Sequence, residues 1–139
     1  MGIFGRLFAK KDSFIDPVDL KYLKTDLHSH LIPGIDDGSP DIETSIMLLN
    51  KFIDLGYQKV ITTPHIMSDY YRNTPEIINK GLDLVRKEID AQKLPIEIDA
   101  AAEYNLEPNF ISLLKEKNIL SFGPQNYVLF ELSFFEEPP

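Results

Sequence analysis

The chain has 139 residues, of which 14 are basic and 22 are acidic, so its formal net charge is −8. This length fits a single domain, and 43% hydrophobic with 26% charged residues excludes a disordered or fibrous chain. Because the sequence contains no cysteine, a disulfide framework, a thiolate metal site and a cysteine nucleophile are all excluded.

Charge and hydropathy also restrict partners and location. An acidic chain repels phosphate backbones, so we expect no nucleic-acid partner. No stretch reaches the ~20 apolar residues that cross a bilayer, so no transmembrane segment is predicted. Residues 1–20 form a predicted N-terminal arm, in which MGIFGRLFAKKD places basic residues after apolar ones, the reverse of a signal peptide. We therefore expect a cytoplasmic protein.

Strand-like and helix-like segments alternate along the chain. The first strand is predicted over 22–28, where alternation places Leu23 and Leu27 on one face and Asp26 and His28 on the other. A helix is predicted to open with Ser39 as its N-cap and Pro40 as its first residue. The same helix is predicted to end at Gly56. A buried strand over 59–63, stopped by Pro64, comes next.

The second half of the pattern repeats the first. Thr74 is predicted to cap a second helix, and a third strand covers 96–102. A third helix over 108–117 and a fourth strand over 127–132 complete the series. The residues predicted to face inward from these two helices are Ile77, Ile78, Leu82, Val85, Ile89, Phe110, Leu113 and Leu114.

The order β-α-β-α-β-α-β with short connections predicts an α/β fold with a parallel sheet covered by helices. Such units build either an open doubly wound sheet or part of a barrel. Periodicity leaves both architectures open.

Two of the three histidines lie in the segment Asp26-Leu27-His28-Ser29-His30. Residues two apart on an extended strand point the same way, so Asp26, His28 and His30 are expected on one face. Paired imidazoles suit a divalent metal, and a neighbouring carboxylate orients such a ring. The alternative is a surface strand with incidental histidines.

Other candidate ligands follow at the ends of the predicted elements. Asp37 lies in PGIDDG, where the alternative is a plain Asp-Gly turn. His65 follows the second strand, Glu103 ends the third after three alanines, and Glu131 lies within the apolar fourth strand. Each glutamate alone is also consistent with a salt bridge or an exposed strand end. Because parallel strands gather their carboxyl ends at one edge, the joint placement predicts a divalent-metal site. Six candidates exceed the four ligands of one zinc, which favours two or three ions.

The strings DLHSHLIPGIDDG, TTPH, AAAE and FEL, in this order and spacing, resemble the PHP metallohydrolases. They look most like the manganese-dependent protein-tyrosine phosphatases of the CpsB/CapC/YwqE type, found in bacterial capsule and exopolysaccharide systems. The resemblance implies that His28, His30, Asp37, His65, Glu103 and Glu131 are metal ligands and catalytic residues. It also implies that Asp26 and Asp36 lie behind these ligands and contact them rather than the metal.

The same resemblance implies a distorted TIM-like barrel, a site of two or three divalent ions and phosphotyrosine hydrolysis by a metal-activated water. Manganese is the expected metal, with iron or zinc as alternatives. The expected substrate is a phosphotyrosine protein such as a bacterial tyrosine kinase. In the loop 66–73, Tyr70 and Arg72 are candidate substrate contacts, although a solvated loop fits the sequence equally well.

This sequence departs from the family pattern in its length. Family members continue for about as long again and add a further histidine, an Asp-x-His pair and arginines, whereas no histidine follows His65 and no arginine follows Arg86 here. Residues 21–139 are therefore predicted to form the first half of the barrel domain, with a homo-oligomer expected. The rival hypotheses are a histidinol-phosphatase-like small-molecule phosphatase, a metal-dependent exonuclease and a non-catalytic metal-binding module.

Overall fold

The computed structural model describes residues 19–133, so most of the predicted N-terminal arm lies outside the described residues. After a 3₁₀ turn at Leu20–Tyr22, strands and helices alternate as predicted. The strands are β1 (Thr25–Asp26), β2 (Lys59–Thr62), β3 (His65–Ile66), β4 (Glu97–Ala100), β5 (Glu103–Asn105) and β6 (Leu129–Glu131). The helices are α1 (Ile42–Asp54), α2 (Pro75–Gln92) and α3 (Pro108–Glu116).

The strands form two parallel three-stranded sheets, in the orders β1-β2-β4 and β3-β5-β6. The parallel α/β class predicted from the sequence is therefore confirmed. The second and third predicted strands correspond to β2 and β4, and two short strands that were not predicted, β3 and β5, follow them after Thr63-Pro64 and Ala101-Ala102. Pro64 has no N–H to donate to a ladder, which explains why the second strand cannot run on unbroken.

The predicted start of α1 is wrong by a few residues. Asp41, and not Ser39, is the N-cap, because its side chain accepts a hydrogen bond from Thr44 N at 2.8 Å. Ser39 is instead buried in a turn, where its N–H donates to His30 O at 3.0 Å and its carbonyl accepts from Gly34 N at 2.8 Å. A long-range contact with His30 thus overrides the local capping preference of Ser39-Pro40.

Helices α2 and α3 cover the sheets with faces close to those predicted. Thr74 caps α2, with Pro75 as the first helical residue, as the sequence indicates. Of the residues predicted to face inward from these helices, five are buried: Ile78, Leu82, Val85, Ile89 and Phe110. The prediction is wrong for Ile77 and Leu114, which remain 42% and 38% exposed.

Strands β1 and β6 each have one neighbour among the described residues. The predicted first strand shrinks to two residues, and Leu23 and Leu27 beside it are 61% and 49% exposed. At the other edge, Phe130 and Leu132 are both 52% exposed. Within residues 19–133, no helix is long and apolar enough to cross a membrane.

Candidate metal centre

The segment that carries the histidine pair is fixed against the end of β2 by two buried threonines. Thr62 Oγ1 donates to Ser29 O and accepts from Leu31 N, both at 2.8 Å. The Thr63 backbone N–H also donates to Ser29 O, at 2.6 Å. These bonds hold His28 and His30 in an extended segment beyond β1, with their ring centroids 5.4 Å apart.

His30 is oriented by a fully buried carboxylate. His30 Nδ1 lies 2.8 Å from Asp36 Oδ2, and the Asp36 side chain is 0% exposed. An ionised carboxylate only accepts hydrogen bonds, so a proton lies on Nδ1, and in the neutral imidazole Nε2 carries the lone pair. That lone pair lies 3.3 Å from Glu103 Oε2. This is the arrangement by which carboxylates orient metal-binding histidines.

Asp36 also ties together two other parts of the site. It accepts from Gly38 N and from His65 N, both at 3.0 Å. Burial, the largest single effect, would raise the pKa of Asp36, but the hydrogen bonds from His30, Gly38 and His65 outweigh it and lower that pKa. The same hydrogen bond from His30 raises the pKa of the His30 imidazole. The pair therefore favours an ionised Asp36.

Glu103 occupies the middle of the cluster. Its residue pairs in register with His65 across β5 and β3, which explains why these two side chains meet. Glu103 Oε2 lies 3.8 Å from His28 Nε2, 3.3 Å from His30 Nε2 and 3.5 Å from His65 Nδ1. One carboxylate oxygen thus faces all three imidazoles of the chain.

His65 and Glu131 face each other without forming a hydrogen bond. His65 Nδ1 and Glu131 Oε1 lie 3.1 Å apart, and both atoms are buried without a hydrogen-bond partner. Buried polar atoms are normally paired, because an unsatisfied one costs about 1–3 kcal/mol. A cation coordinated by both atoms would satisfy them.

Asp37 lies on the more open side of the cluster. Its side chain is 62% exposed, and Oδ1 lies 3.6 Å from His65 Nε2 and 3.7 Å from His30 Nδ1. Two sets of three side chains have ligand atoms within 4.8 Å of one another, namely His28-His30-Glu103 and His30-Asp37-His65. All six residues predicted as ligands are therefore brought into one cluster.

No described lysine or arginine pairs with the acids of this cluster. Within residues 19–133, the ion pairs of Lys and Arg engage Asp19, Asp54, Glu97 and Asp99. The carboxylates of the cluster therefore have only histidines as local compensation. Nitrogen and oxygen donors in such numbers suit manganese, iron or zinc.

Asp26 differs from Asp36 in its contacts. Its Oδ2 is buried without a hydrogen-bond partner, and burial raises the pKa of Asp26 although Ser29 and His28 oppose the shift. No described hydrogen bond joins Asp26 to a histidine ring. Its predicted support of a ligand stays a prediction.

The loop after β3 presents a residue that the sequence analysis missed. Tyr71 stacks on His65, with ring centroids 5.4 Å apart and ring planes 12° apart. Of the predicted substrate contacts, Tyr70 is 82% exposed, and Arg72 Nε donates to Ser68 O at 2.7 Å within its own loop. The sequence offered no signal to choose Tyr71 over Tyr70, because only the path of the loop decides which ring turns inward.

Comparisons with known proteins identify relatives of this chain. Residues 24–138 match the family described as capsular polysaccharide synthesis, CpsB/CapC. The chain is 26% identical over 113 residues to tyrosine-protein phosphatase YwqE of Bacillus subtilis, covering 81% of this chain and 44% of that protein. It is 30% identical over 111 residues to tyrosine-protein phosphatase CpsB of Streptococcus pneumoniae, covering 78% of this chain and 44% of that protein.

A solved structure is also similar. It belongs to work on YwqE from Bacillus subtilis and CpsB from Streptococcus pneumoniae, described there as unique metal-dependent tyrosine phosphatases. The superposition has a TM-score of 0.72 at 26% identity and covers 79% of this chain and 44% of that one. The chain thus spans less than half the length of these relatives.

Proposed function

Because this chain belongs to the CpsB/CapC family of capsular polysaccharide synthesis, we propose that it carries the metal centre of a metal-dependent protein-tyrosine phosphatase. The relatives that it matches are named tyrosine-protein phosphatases. The observation that carries the proposal is the facing pair of unpartnered buried atoms, His65 Nδ1 and Glu131 Oε1, inside a cluster of histidines and carboxylates.

The proposed ligands of two or three divalent ions are His28, His30, Asp37, His65, Glu103 and Glu131. Manganese is the proposed native metal, with iron or zinc as alternatives, because imidazole and carboxylate donors accept all three. The lone pair of His30 Nε2, the two unpartnered atoms and the uncompensated carboxylates all fit this assignment.

When bound, divalent ions in such a site lower the pKa of a water molecule and offset the charge of phosphate oxygens. The residues of the chain prepare the site for this chemistry. Asp36 keeps the proton on His30 Nδ1, so that Nε2 stays available as a ligand. Thr63 Oγ1 fixes His28 by accepting a 2.8 Å hydrogen bond from His28 Nδ1, which leaves the lone pair of His28 Nε2 toward Glu103. The leaving group of phosphotyrosine, a phenolate of pKa ~10, departs more easily than an alkoxide and needs less help from a general acid.

The wider context of this function is part of the same proposal. Residues 21–139 would form half of a distorted TIM-like PHP barrel in a cytoplasmic, homo-oligomeric protein. Its substrate would be a phosphotyrosine protein of capsule or exopolysaccharide synthesis, such as a tyrosine kinase. The family membership supports the link to capsule synthesis, and the names of the relatives support a phosphotyrosine substrate.

The test is a phosphatase assay on the protein stripped of metal and reloaded separately with Mn²⁺, Fe²⁺ or Zn²⁺. We expect hydrolysis of a phosphotyrosine peptide after reloading, none after chelation, and little hydrolysis of the matching phosphoserine peptide. The double variant His28→Ala/His30→Ala should lose bound metal by elemental analysis, whereas Asp69→Asn, which changes an exposed residue, should keep it. Activity that survives exhaustive chelation would contradict the mechanism.

A further inference from the structure

The ring of Tyr71 forms an aromatic wall beside the proposed ligand His65. The two rings are nearly parallel, with planes 12° apart and centroids 5.4 Å apart, which is an offset stack. Tyr71 is only half-buried, so part of its ring surface remains open at the rim of the cluster. An aromatic surface next to a phosphate-binding centre offers a contact for whatever group carries the phosphate.

The loop that presents this ring is braced within itself. The carbonyl of Tyr71 accepts from Met67 N at 2.9 Å and from Asn73 N at 2.7 Å. Asn73 Nδ2 donates to His65 O at 2.8 Å and to Ile35 O at 3.0 Å. These hydrogen bonds fix the backbone of Tyr71 and tie its loop to the chain at His65 and Ile35.

A second brace joins the loop to helix α3. Ser68 donates to Glu107 Oε1 twice, from its backbone N at 2.9 Å and from its Oγ at 2.7 Å. Glu107 is the N-cap residue of α3 but makes no side-chain cap bond there, so its carboxylate is available to accept the hydrogen bonds from Ser68. A preorganised aromatic ring loses little conformational entropy when a ligand binds against it.

We propose that Tyr71 is the specificity-determining residue that selects aryl over alkyl phosphate esters by packing against the aromatic ring of the substrate. The inference rests on the proposed function, because it places a phosphate at the cluster of His65 and its neighbours. An aromatic pair contributes about 0.5–1.5 kcal/mol beyond area burial, which corresponds to a preference of roughly 2- to 13-fold.

The test compares the binding of phenylphosphonate and methylphosphonate to the manganese-loaded full-length protein by titration calorimetry. Neither probe is hydrolysed, so the comparison does not depend on turnover. We expect the wild type to favour phenylphosphonate, Tyr71→Leu to reduce that preference by roughly 2- to 13-fold, and Tyr71→Phe to retain it. Tyr22→Leu, which removes an 80% exposed ring elsewhere, is the matched control and should retain it too.

The outcomes separate the two proposals. If the wild type favours phenylphosphonate and Tyr71→Leu loses that preference, but no phosphotyrosine peptide is hydrolysed, the proposed phosphatase activity fails while the aryl-binding role of Tyr71 stands. A wild type that binds both probes equally overturns the role of Tyr71, as does a Tyr71→Leu variant that weakens both probes by the same factor. Should Tyr71→Leu fail to fold, transferred nuclear Overhauser effects between the Tyr71 ring and phenylphosphonate in the wild type decide, and their absence overturns the proposal.

Discussion

Replacing Asp36 with asparagine probes the buried carboxylate that organises the cluster. Asp36 accepts three hydrogen bonds, from His30 Nδ1 at 2.8 Å and from the backbone N–H groups of Gly38 and His65 at 3.0 Å. Asparagine keeps the shape but has one acceptor oxygen and two N–H donors. Its cheaper orientation keeps the oxygen toward His30 and His65, which both bond to Oδ2, and turns the NH₂ group toward Gly38 N–H.

That orientation leaves two buried donors facing each other and weakens the charge-assisted bond from His30. One unsatisfied buried group costs about 1–3 kcal/mol, so we expect Asp36→Asn to lower the free energy of unfolding by about 2 kcal/mol. Because urea m-values are about 1–3 kcal/mol/M, the unfolding midpoint should fall by roughly 1 M. Loss of a ligand-orienting partner should also weaken Mn²⁺ binding by about 10- to 100-fold.

Equilibrium urea unfolding of the metal-free protein measures the first effect, and competition with a fluorescent chelator measures the second. Asp69→Asn is the matched control, since Asp69 is an exposed aspartate in the loop after β3. Unchanged Mn²⁺ affinity in Asp36→Asn would refute the role of Asp36 in orienting His30. Unchanged stability would refute the cost assigned to its lost hydrogen bond with Gly38.

Three further predictions concern other parts of the chain. Glu131→Gln removes the charge of a proposed ligand and should weaken Mn²⁺ binding by about tenfold or more. The control Glu116→Gln, at the exposed end of α3, should leave Mn²⁺ affinity unchanged. Equal Mn²⁺ affinities of the wild type and Glu131→Gln would make Glu131 a packing residue. Hydrogen bonding to Lys59, with the charges of Lys59 and Arg86, lowers the pKa of Asp99, so its stabilisation is present above the unfolded pKa of about 4 and is lost as the pH falls through the lower folded pKa. Asp99→Asn should therefore cost roughly 0.5 kcal/mol at pH 7 and flatten the acid limb of a stability–pH curve, and the exposed Asp83→Asn should leave both unchanged. The 139-residue chain should self-associate through the outer edges of β1 and β6, which are unpaired among residues 19–133, and Phe130→Lys should reduce that association in sedimentation more than Leu84→Lys, a change at an equally exposed leucine on α2.

The sequence predicted the alternation of strands and helices because that signal is local. Apolar residues at helical spacing marked α2, and Thr74-Pro75 marked its start. The predicted start of α1 was wrong because Ser39 and Asp41 are both residue types that cap helices well. The choice was decided by the hydrogen bond from Ser39 N to His30 O, nine residues away, which no local pattern contains.

The clustering of the candidate ligands was predictable for a different reason. Parallel strands place their carboxyl ends at one edge, and His65 and Glu103 meet in register just beyond the ends of β2 and β4, as the first residues of β3 and β5. Tyr71 was not predictable, because two adjacent tyrosines in a loop have no periodicity that assigns one of them inward. The end of the second strand at Pro64 was predicted, but the short strands β3 and β5 that follow β2 and β4 were missed.

The turn between the histidine pair and α1 links the fold to the metal chemistry. In it, Gly34 N–H and Ser39 O close the backbone, while Asp36 reaches both His30 and His65. Gly38 is required beside this contact, because a Cβ there would overlap the Cβ and carbonyl oxygen of His30. The cluster gathers carboxylates that no described lysine or arginine compensates, so folding without metal works against their mutual repulsion. Ions that bind only the folded arrangement would stabilise it by mass action. We therefore expect metal binding to raise the local stability most in this turn, whose backbone holds the carboxylate that orients His30.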